Sequence, residues 1–285
     1  MGRLLAVFIW VMTILSVAMF FNPRWWFPPA ITEHGPAYDQ QFLITIIVVG
    51  LAFTAAQVAL GYAVWRFRDT GDGARAVYSH GNNRLEMIWT AITAFIFIGL
   101  GLLGQRVWAQ LHLNSAPADA AQVHVLAQQF AWNFHYPGPD KQFGRTDPTK
   151  YSDSSPPYGA IGLDRADPAA KDDTVISALV LRVNQTVELT LRGRDVTHSF
   201  WVPELRFKQD LVPGMDIRVH FKPVQTGHYR LACAELCGAL HYNMKSDLLV
   251  LPEAEYDELM QMPQTEFQKR VEALLKEYPV HKYAD

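Results

Sequence analysis

The chain has 285 residues and a formal net charge of −3, from 25 Lys and Arg against 28 Asp and Glu. That near-neutral balance offers nothing to a nucleic acid. Hydrophobic residues make up 49% of the chain, and before residue 109 they gather in three long runs, which excludes a wholly water-soluble protein.

The first run, "LLAVFIWVMTILSVAMFF", covers residues 4–21. The second covers 42–65 and the third 88–108. None holds an acid, and Arg106 is the sole base within them. A bilayer-spanning helix needs about 20 apolar residues, so each run predicts a transmembrane helix. Trp10, Trp25, Trp26, Trp65, Trp89 and Trp108 lie in or beside the runs, mostly near an end, where interfacial aromatic belts form. The prefix "MGR" resembles the start of a signal peptide. The apolar stretch is longer than a signal core, however, and no small-x-small cleavage site follows, so a retained helix is expected. Arg66, Arg68, Arg75 and Arg84 crowd the segment 66–87, whereas 22–41 holds only Arg24. The bias predicts that 66–87 and the N-terminus are cytoplasmic and that everything after Trp108 is outside.

Residues 109–251 read as an external β-domain. "TVELTLRG" puts Val187, Leu189 and Leu191 on one face, and "DIRVHF" does the same for Ile217, Val219 and Phe221. "HVLAQQFAWNFHY", "ALVLRV", "GHYRLAC" and "SDLLVL" are further strand candidates, with turn signals at 212–214 and 226–227. Short strands at this spacing predict a sandwich or barrel. The stretch 138–173 is rich in Pro, Gly, Asp and Ser and reads as a long inserted loop. From residue 252 the pattern turns helical, with Phe267, Val271, Leu274 and Leu275 on one face and Pro263 dividing the tail, 252–285, in two.

The chemistry gathers in "LACAELCGALHYNMKS", residues 231–246, which holds both cysteines of the chain. Cys, His and Met are soft-to-borderline ligands suited to copper. A blue-copper site uses one thiolate, and this loop carries two, Cys233 and Cys237, followed by His241 and Met244. "DVTHSFW" supplies a second imidazole, His198. Two thiolates can bridge two copper ions, each with one imidazole and one weak ligand. A disulfide would account for the thiols and for nothing else. His112, His124, His135, His220 and His228 are expected to be surface or structural residues.

"HSFWVPEL" followed by Cys-x-Glu-x-Cys-x-x-x-His-x-x-Met, met at every position by Cys233, Glu235, Cys237, His241 and Met244, resembles subunit II of the haem–copper oxidases. The resemblance covers the helical part, the external domain and the loop. It implies an α+β membrane protein: transmembrane helices, then a cupredoxin-like Greek-key β-barrel carrying a dinuclear copper centre, CuA. Cys233 and Cys237 would bridge the coppers. His198 and Met244 would complete one copper, and His241 with the backbone carbonyl of Glu235 the other. The Glu235 carboxylate would face a Mg or Mn ion at the boundary with subunit I, which would hold the haems.

The resemblance also implies a bacterial inner-membrane cytochrome c oxidase, which takes electrons from a c-type cytochrome and passes them to haem in subunit I for oxygen reduction coupled to proton pumping. Its partners would be subunit I, other oxidase subunits, the c-type cytochrome donor and membrane lipid. The family's aromatic run above CuA, Gln-Trp-Tyr-Trp, corresponds here to Gln129, Phe130, Ala131 and Trp132. Phe130 replaces the usual tryptophan through which electrons arrive, and His135 stands where a docking acid is common. Those departures imply a donor held by other means, such as a cytochrome domain of a partner respiratory complex that touches the 138–173 insert. Glu86, in "RLEMIWT", matches the family's Glu-x-x-Trp-Thr at the mouth of a proton path. An acid in a first helical turn also favours the helix dipole. The rival readings are the CuA subunit of a nitric oxide reductase and a membrane-tethered copper chaperone. The chaperone would show one anchor and a βαβ pattern, and this chain shows neither. A quinol oxidase subunit would lack the ligand set.

Overall fold

The computed structural model describes residues 1–21, 28–73, 75, 78 and 80–281. The expected interfacial Trp25 and Trp26, and the loop base Arg24, lie outside the described residues. The chain divides into two units, residues 1–27 with 37–107 and residues 28–36 with 108–285.

In the first unit the three apolar runs become α1 (Gly2–Phe20), α2 (Gly35–Arg66) and α3 (Asn83–His112). α2 and α3 extend beyond their apolar runs at both ends. At 1.5 Å per residue, the 32 residues of α2 span about 48 Å, more than the hydrocarbon core requires. Almost all of the apolar surface faces outward, with Phe95 79% and Leu102 65% exposed, as suits helices solvated by lipid. Trp10 of α1 lies on Gly61 of α2, where an added Cβ would sit 2.2 Å from the indole nitrogen. Its ring stacks on Trp65 at 6.0 Å, and its Nε1 donates to the Val58 carbonyl at 3.4 Å. At the start of α3, the Asn82 side chain accepts from the amides of Arg84 and Leu85, an N-cap that starts the helix one turn before Glu86.

The second unit is a β-sandwich followed by two helices. Its described strands are β1 (Ala121–Gln128), β2 (Ala131–Tyr136), β3 (Thr174–Ile176), β4 (Leu179–Arg182), β5 (Val187–Gly193), β6 (His198–Val202), β7 (Phe207–Leu211), β8 (Ile217–Phe221), β9 (Gly227–Cys233) and β10 (Lys245–Leu251). One sheet runs β3-β2-β1-β5-β8 and the other β4-β10-β9-β6-β7. Each mixes one parallel pair, β1 with β5 and β4 with β10, among antiparallel ones, the cupredoxin-like arrangement. Val187, Leu189 and Leu191 are at most 2% exposed, so the alternation read in the sequence does face the core. The stretch 124–136 is a hairpin, not one strand, with His124 opposite His135.

Residues 28–36, read from the sequence only as a link between helices, belong to this unit. Ile31 is buried, its amide donates to Glu204 O at 3.0 Å, and its carbonyl accepts from Val224 at 2.7 Å. Pro263 caps the second tail helix: α4 is Glu253–Met260 and α5 is Gln264–Glu277. Phe267, Val271 and Leu274 are buried, while Leu275 is partly buried against the core.

The 138–173 stretch is not a bare loop. Three short 3-10 turns, Pro148–Lys150, Gly159–Ile161 and Pro168–Ala170, fold over a small core of Leu126, Ile161, Leu163, Ala170 and Val175. Asp147 and Asp167 cap two of the turns through their side chains. At its end, Asp173 is fully buried, accepts from the Gly144 amide at 2.8 Å and meets His135 Nε2 at 2.6 Å. His228, similarly, is buried with its Nε2 2.7 Å from Asp247.

Candidate metal centre

The two sheets bring the ligand candidates to one end of the sandwich. His198 opens β6, Cys233 closes β9, and Met244 directly precedes β10. The Cys233 amide donates to Met244 O at 3.0 Å and the Ala234 amide to Ser199 O at 3.0 Å, so ladder bonds anchor both ends of the loop. Gly238 holds the loop's tightest point at φ +135°, and a Cβ there would meet Gln129 Nε2 at 2.7 Å and Phe130 Cζ at 3.0 Å. Glycine therefore admits the aromatic side chain against the loop.

The two thiols are free and 3.8 Å apart, so they form no disulfide. Cys233 Sγ lies 3.9 Å from His198 Nδ1 and donates to the Glu235 carbonyl at 3.2 Å. Cys237 Sγ lies 3.5 Å from His241 Nδ1 and 3.7 Å from Met244 Sδ. Donor atoms of His198, Cys233 and Cys237 fall within 4.8 Å of one another. His198, Cys237 and Met244 are 3% exposed or less, and His241 stands at the rim. Two thiols, two imidazole nitrogens, a thioether and a carbonyl converge on one dry pocket, a donor set that fits copper.

Electrostatics suit deprotonation of one thiol. Burial pushes the Cys233 thiol up, but the His198 and His241 imidazoles and backbone hydrogen bonding at Glu235 and Ser199 bring it down to about 6. Burial and the neighbouring Cys233 charge raise Cys237 to about 11. The pair therefore loses its protons in two separated steps, and a cation between the sulfurs is what favours the second.

One set of supporting residues escaped the sequence reading. His198 Nε2 donates to Asp195 Oδ1 at 2.8 Å, which leaves Nδ1 turned toward the sulfurs. Asp195 Oδ2 accepts from the Gln129 amide at 2.7 Å, and Gln129 Nε2 donates to the Cys237 carbonyl at 2.6 Å. A carboxylate three residues before a ligand histidine is a visible signal in "DVTH", and it orients ligands in many metal sites.

The aromatic candidates part company. Phe130 is half-buried against the loop, whereas Trp132 is 2% exposed and lies in the sandwich core. The Trp132 ring meets Phe200 edge-on at 6.2 Å, and Phe200 is paired with Cys233 across the sheet. The Glu235 carboxylate is 3.7 Å from Lys208 Nζ, which also meets Asp210 at 2.6 Å. Glu86 is exposed, in the first turn of α3, and belongs to the helical unit.

Two family models match the chain: cytochrome c oxidase subunit II, periplasmic domain, over residues 122–249, and the transmembrane domain of the same subunit over residues 30–107. The alternative cytochrome c oxidase subunit 2 of Bradyrhizobium diazoefficiens is 35% identical over 91% of this chain and 92% of its own length. The cytochrome c oxidase subunit 2 of Thermostichus vulcanus is 30% identical over 81% of this chain and 76% of its own. Among solved structures, the periplasmic domain of subunit II of cytochrome oxidase of Bradyrhizobium japonicum matches with a TM-score of 0.38 and 23% identity, over 54% of this chain and 99% of that one.

Proposed function

The chain belongs to the cytochrome c oxidase subunit II family, and from that premise we propose how its residues divide the work of moving electrons. It is the electron-transfer subunit of a haem–copper oxidase, a membrane protein with its β-domain on the outer side and subunit I as its partner. Cys233 and Cys237 would hold a dinuclear copper centre through their thiolates, with His198, Met244, His241 and the Glu235 carbonyl as its further ligands. Copper bound there would supply one-electron transfer chemistry. The protein's contribution is a fixed cage: strands hold His198 and Cys233, Met244 stands directly before a third, and Phe200 and Met244 are buried beside them. The observation that carries this reading is the convergence of Cys233, Cys237, His198, His241 and Met244 at one end of the sandwich.

Around that centre the remaining roles follow. Phe130, against the loop, receives electrons from a c-type cytochrome, and Trp132 packs behind it in the core. The donor is held by contacts other than the usual acid, with the 138–173 insert as its platform. The Glu235 carboxylate would support a Mg or Mn ion at the subunit I boundary; Lys208 beside it already pairs more closely with Asp210. Arg66, Arg68, Arg75 and Arg84 hold 66–87 and the N-terminus on the cytoplasmic side, where Glu86 stands at the entrance of a proton path. Residues 1–27 and 37–107 then form the membrane part, 28–36 with 108–251 the CuA domain and 252–285 the tail.

The deciding experiment is EPR of the copper-loaded subunit in its oxidase. The wild type is expected to share one unpaired electron over two copper nuclei, and Cys233→Ser to lose that signal. A wild-type spectrum of a single copper would sink the reading. Phe130→Ala is expected to slow electron uptake from the donor with the copper signal intact, and unchanged uptake would remove its role. Glu86→Gln is expected to slow turnover, and normal turnover would leave it as a helix-dipole residue.

A further inference from the structure

We infer that Arg194 is a positioning residue for the metal centre, through which the 138–173 insert braces the ligands; the inference rests on the copper reading above. Arg194 lies in the turn from β5 to β6, one residue before Asp195. Its amide donates to the Ala127 carbonyl at 2.9 Å, tying the turn to the end of β1. Its guanidinium donates to Asp153 Oδ1 at 2.6 Å and to the Gln128 side-chain oxygen, and it lies over the Tyr151 ring at 4.7 Å. Asp153 and Tyr151 belong to the insert, and Gln128 ends β1, directly before the β1–β2 turn. One side chain therefore clamps the insert, the β1–β2 turn and the β5–β6 turn.

Each clamped turn touches the ligands. Asp195 fixes His198 through Oδ1 and the Gln129 amide through Oδ2. Gln129 holds the Cys237 carbonyl, and Phe130 rests against Gly238. The route from the insert to the sulfurs is thus a contiguous set of hydrogen bonds and packed rings. A surface ion pair alone is worth little, and the Asp153 carboxylate is mostly exposed. The planar fork and the ring stacking are what make Arg194 more than a charge, because they fix its direction. The effect on the centre is geometric: it narrows the range of positions open to His198 Nδ1 and to the Cys237 backbone.

The test uses the oxidase carrying Arg194→Met, with Asp153→Asn and Tyr151→Leu as milder variants on the insert side and Arg194→Lys as the conservative one. Arg194→Met is expected to change the copper hyperfine pattern and to release copper to a chelator about tenfold faster, as supporting residues of metal sites do. It is also expected to speed amide exchange at 128–130 and 237–241. The insert variants give part of each change although neither residue touches Asp195, and Arg194→Lys restores less than half. A lowered melting temperature with unchanged spectrum, copper release and exchange would make Arg194 an ordinary structural arginine and overturn the inference. Amide exchange reads the brace whether or not copper is bound. Unchanged exchange in Arg194→Met relative to the wild type therefore sinks the brace, whereas a wild type without a two-copper spectrum sinks the functional reading.

Discussion

The copper loop and the 138–173 insert are both long irregular segments between strands, and they hold their shape by different means. The loop has almost no core of its own; ladder bonds at its ends and the mutual approach of six donor atoms define it. The insert has no shared chemistry to organise it and instead folds over Leu126, Ile161, Leu163, Ala170 and Val175, pinned by the buried Asp173. The contrast teaches that composition is a poor guide to order. The Pro, Gly, Asp and Ser of the insert are not signs of slackness, because Asp147 and Asp167 cap turns and Pro148 and Pro168 start them.

The comparison breaks most visibly if one anchor of each segment is removed. Asp173→Ala takes away the carboxylate facing His135 and the Gly144 amide inside a closed site. Breaking a buried pair from one side costs about 3 kcal/mol, so denaturant unfolding of the variant should shift accordingly. Met244→Leu keeps volume in the core and is expected to cost under about 1.5 kcal/mol, yet to alter the copper spectrum. If the ranking reversed, with Met244→Leu the more destabilising, the loop would be held by packing and the contrast would fail.

The same contrast explains what the sequence disclosed. The copper ligands were legible because five of the six lie within twelve residues, Cys233 to Met244, and their chemistry needs no fold to be recognised. The three apolar runs were legible from their unbroken length, and the facing residues of β5 and β8 from their alternation. Asp195 was not, because its partner Gln129 is 66 residues away and the bond exists only once two turns meet. The β1–β2 hairpin was read as one strand since "AQQFA" contains no Gly, Pro or Asn to mark its turn. Neither β3, three residues long, nor β7, "FKQDL" with three polar residues in a row, offers a period to read. Residues 28–36 carry no strand signal, and their place against Glu204 and Val224 is settled by tertiary contacts.

The smallest expected effect lies at that contact and sharpens the comparison, because Glu204 is a buried acid with less hydrogen-bonded support than Asp173, whose Oδ2 meets both His135 and the Gly144 amide. Glu204 is 3% exposed and its Oε2 is buried with no hydrogen-bond partner among the described residues. Burial raises its pKa above the ordinary 4.5, and its own backbone amide, His281 and Arg206 only partly offset that. The folded chain thus keeps a proton on Glu204 at pH values where the unfolded chain has released it. The folded state binds more protons at this site in that window, so the contribution of Glu204 to stability is greatest below pH 4.5. It declines as pH rises from there to the folded pKa, and it stays lower beyond it. Glu204→Gln removes the charge and with it that decline. At pH 7 the variant should be more stable by about 1 kcal/mol, the scale of one uncompensated buried polar group, and the two stability profiles should converge below pH 4.5. Parallel profiles across the whole range would mean that Glu204 finds a partner as good as that of Asp173. In that case the two acids, one in the insert and one beside the 28–36 segment, are supported alike.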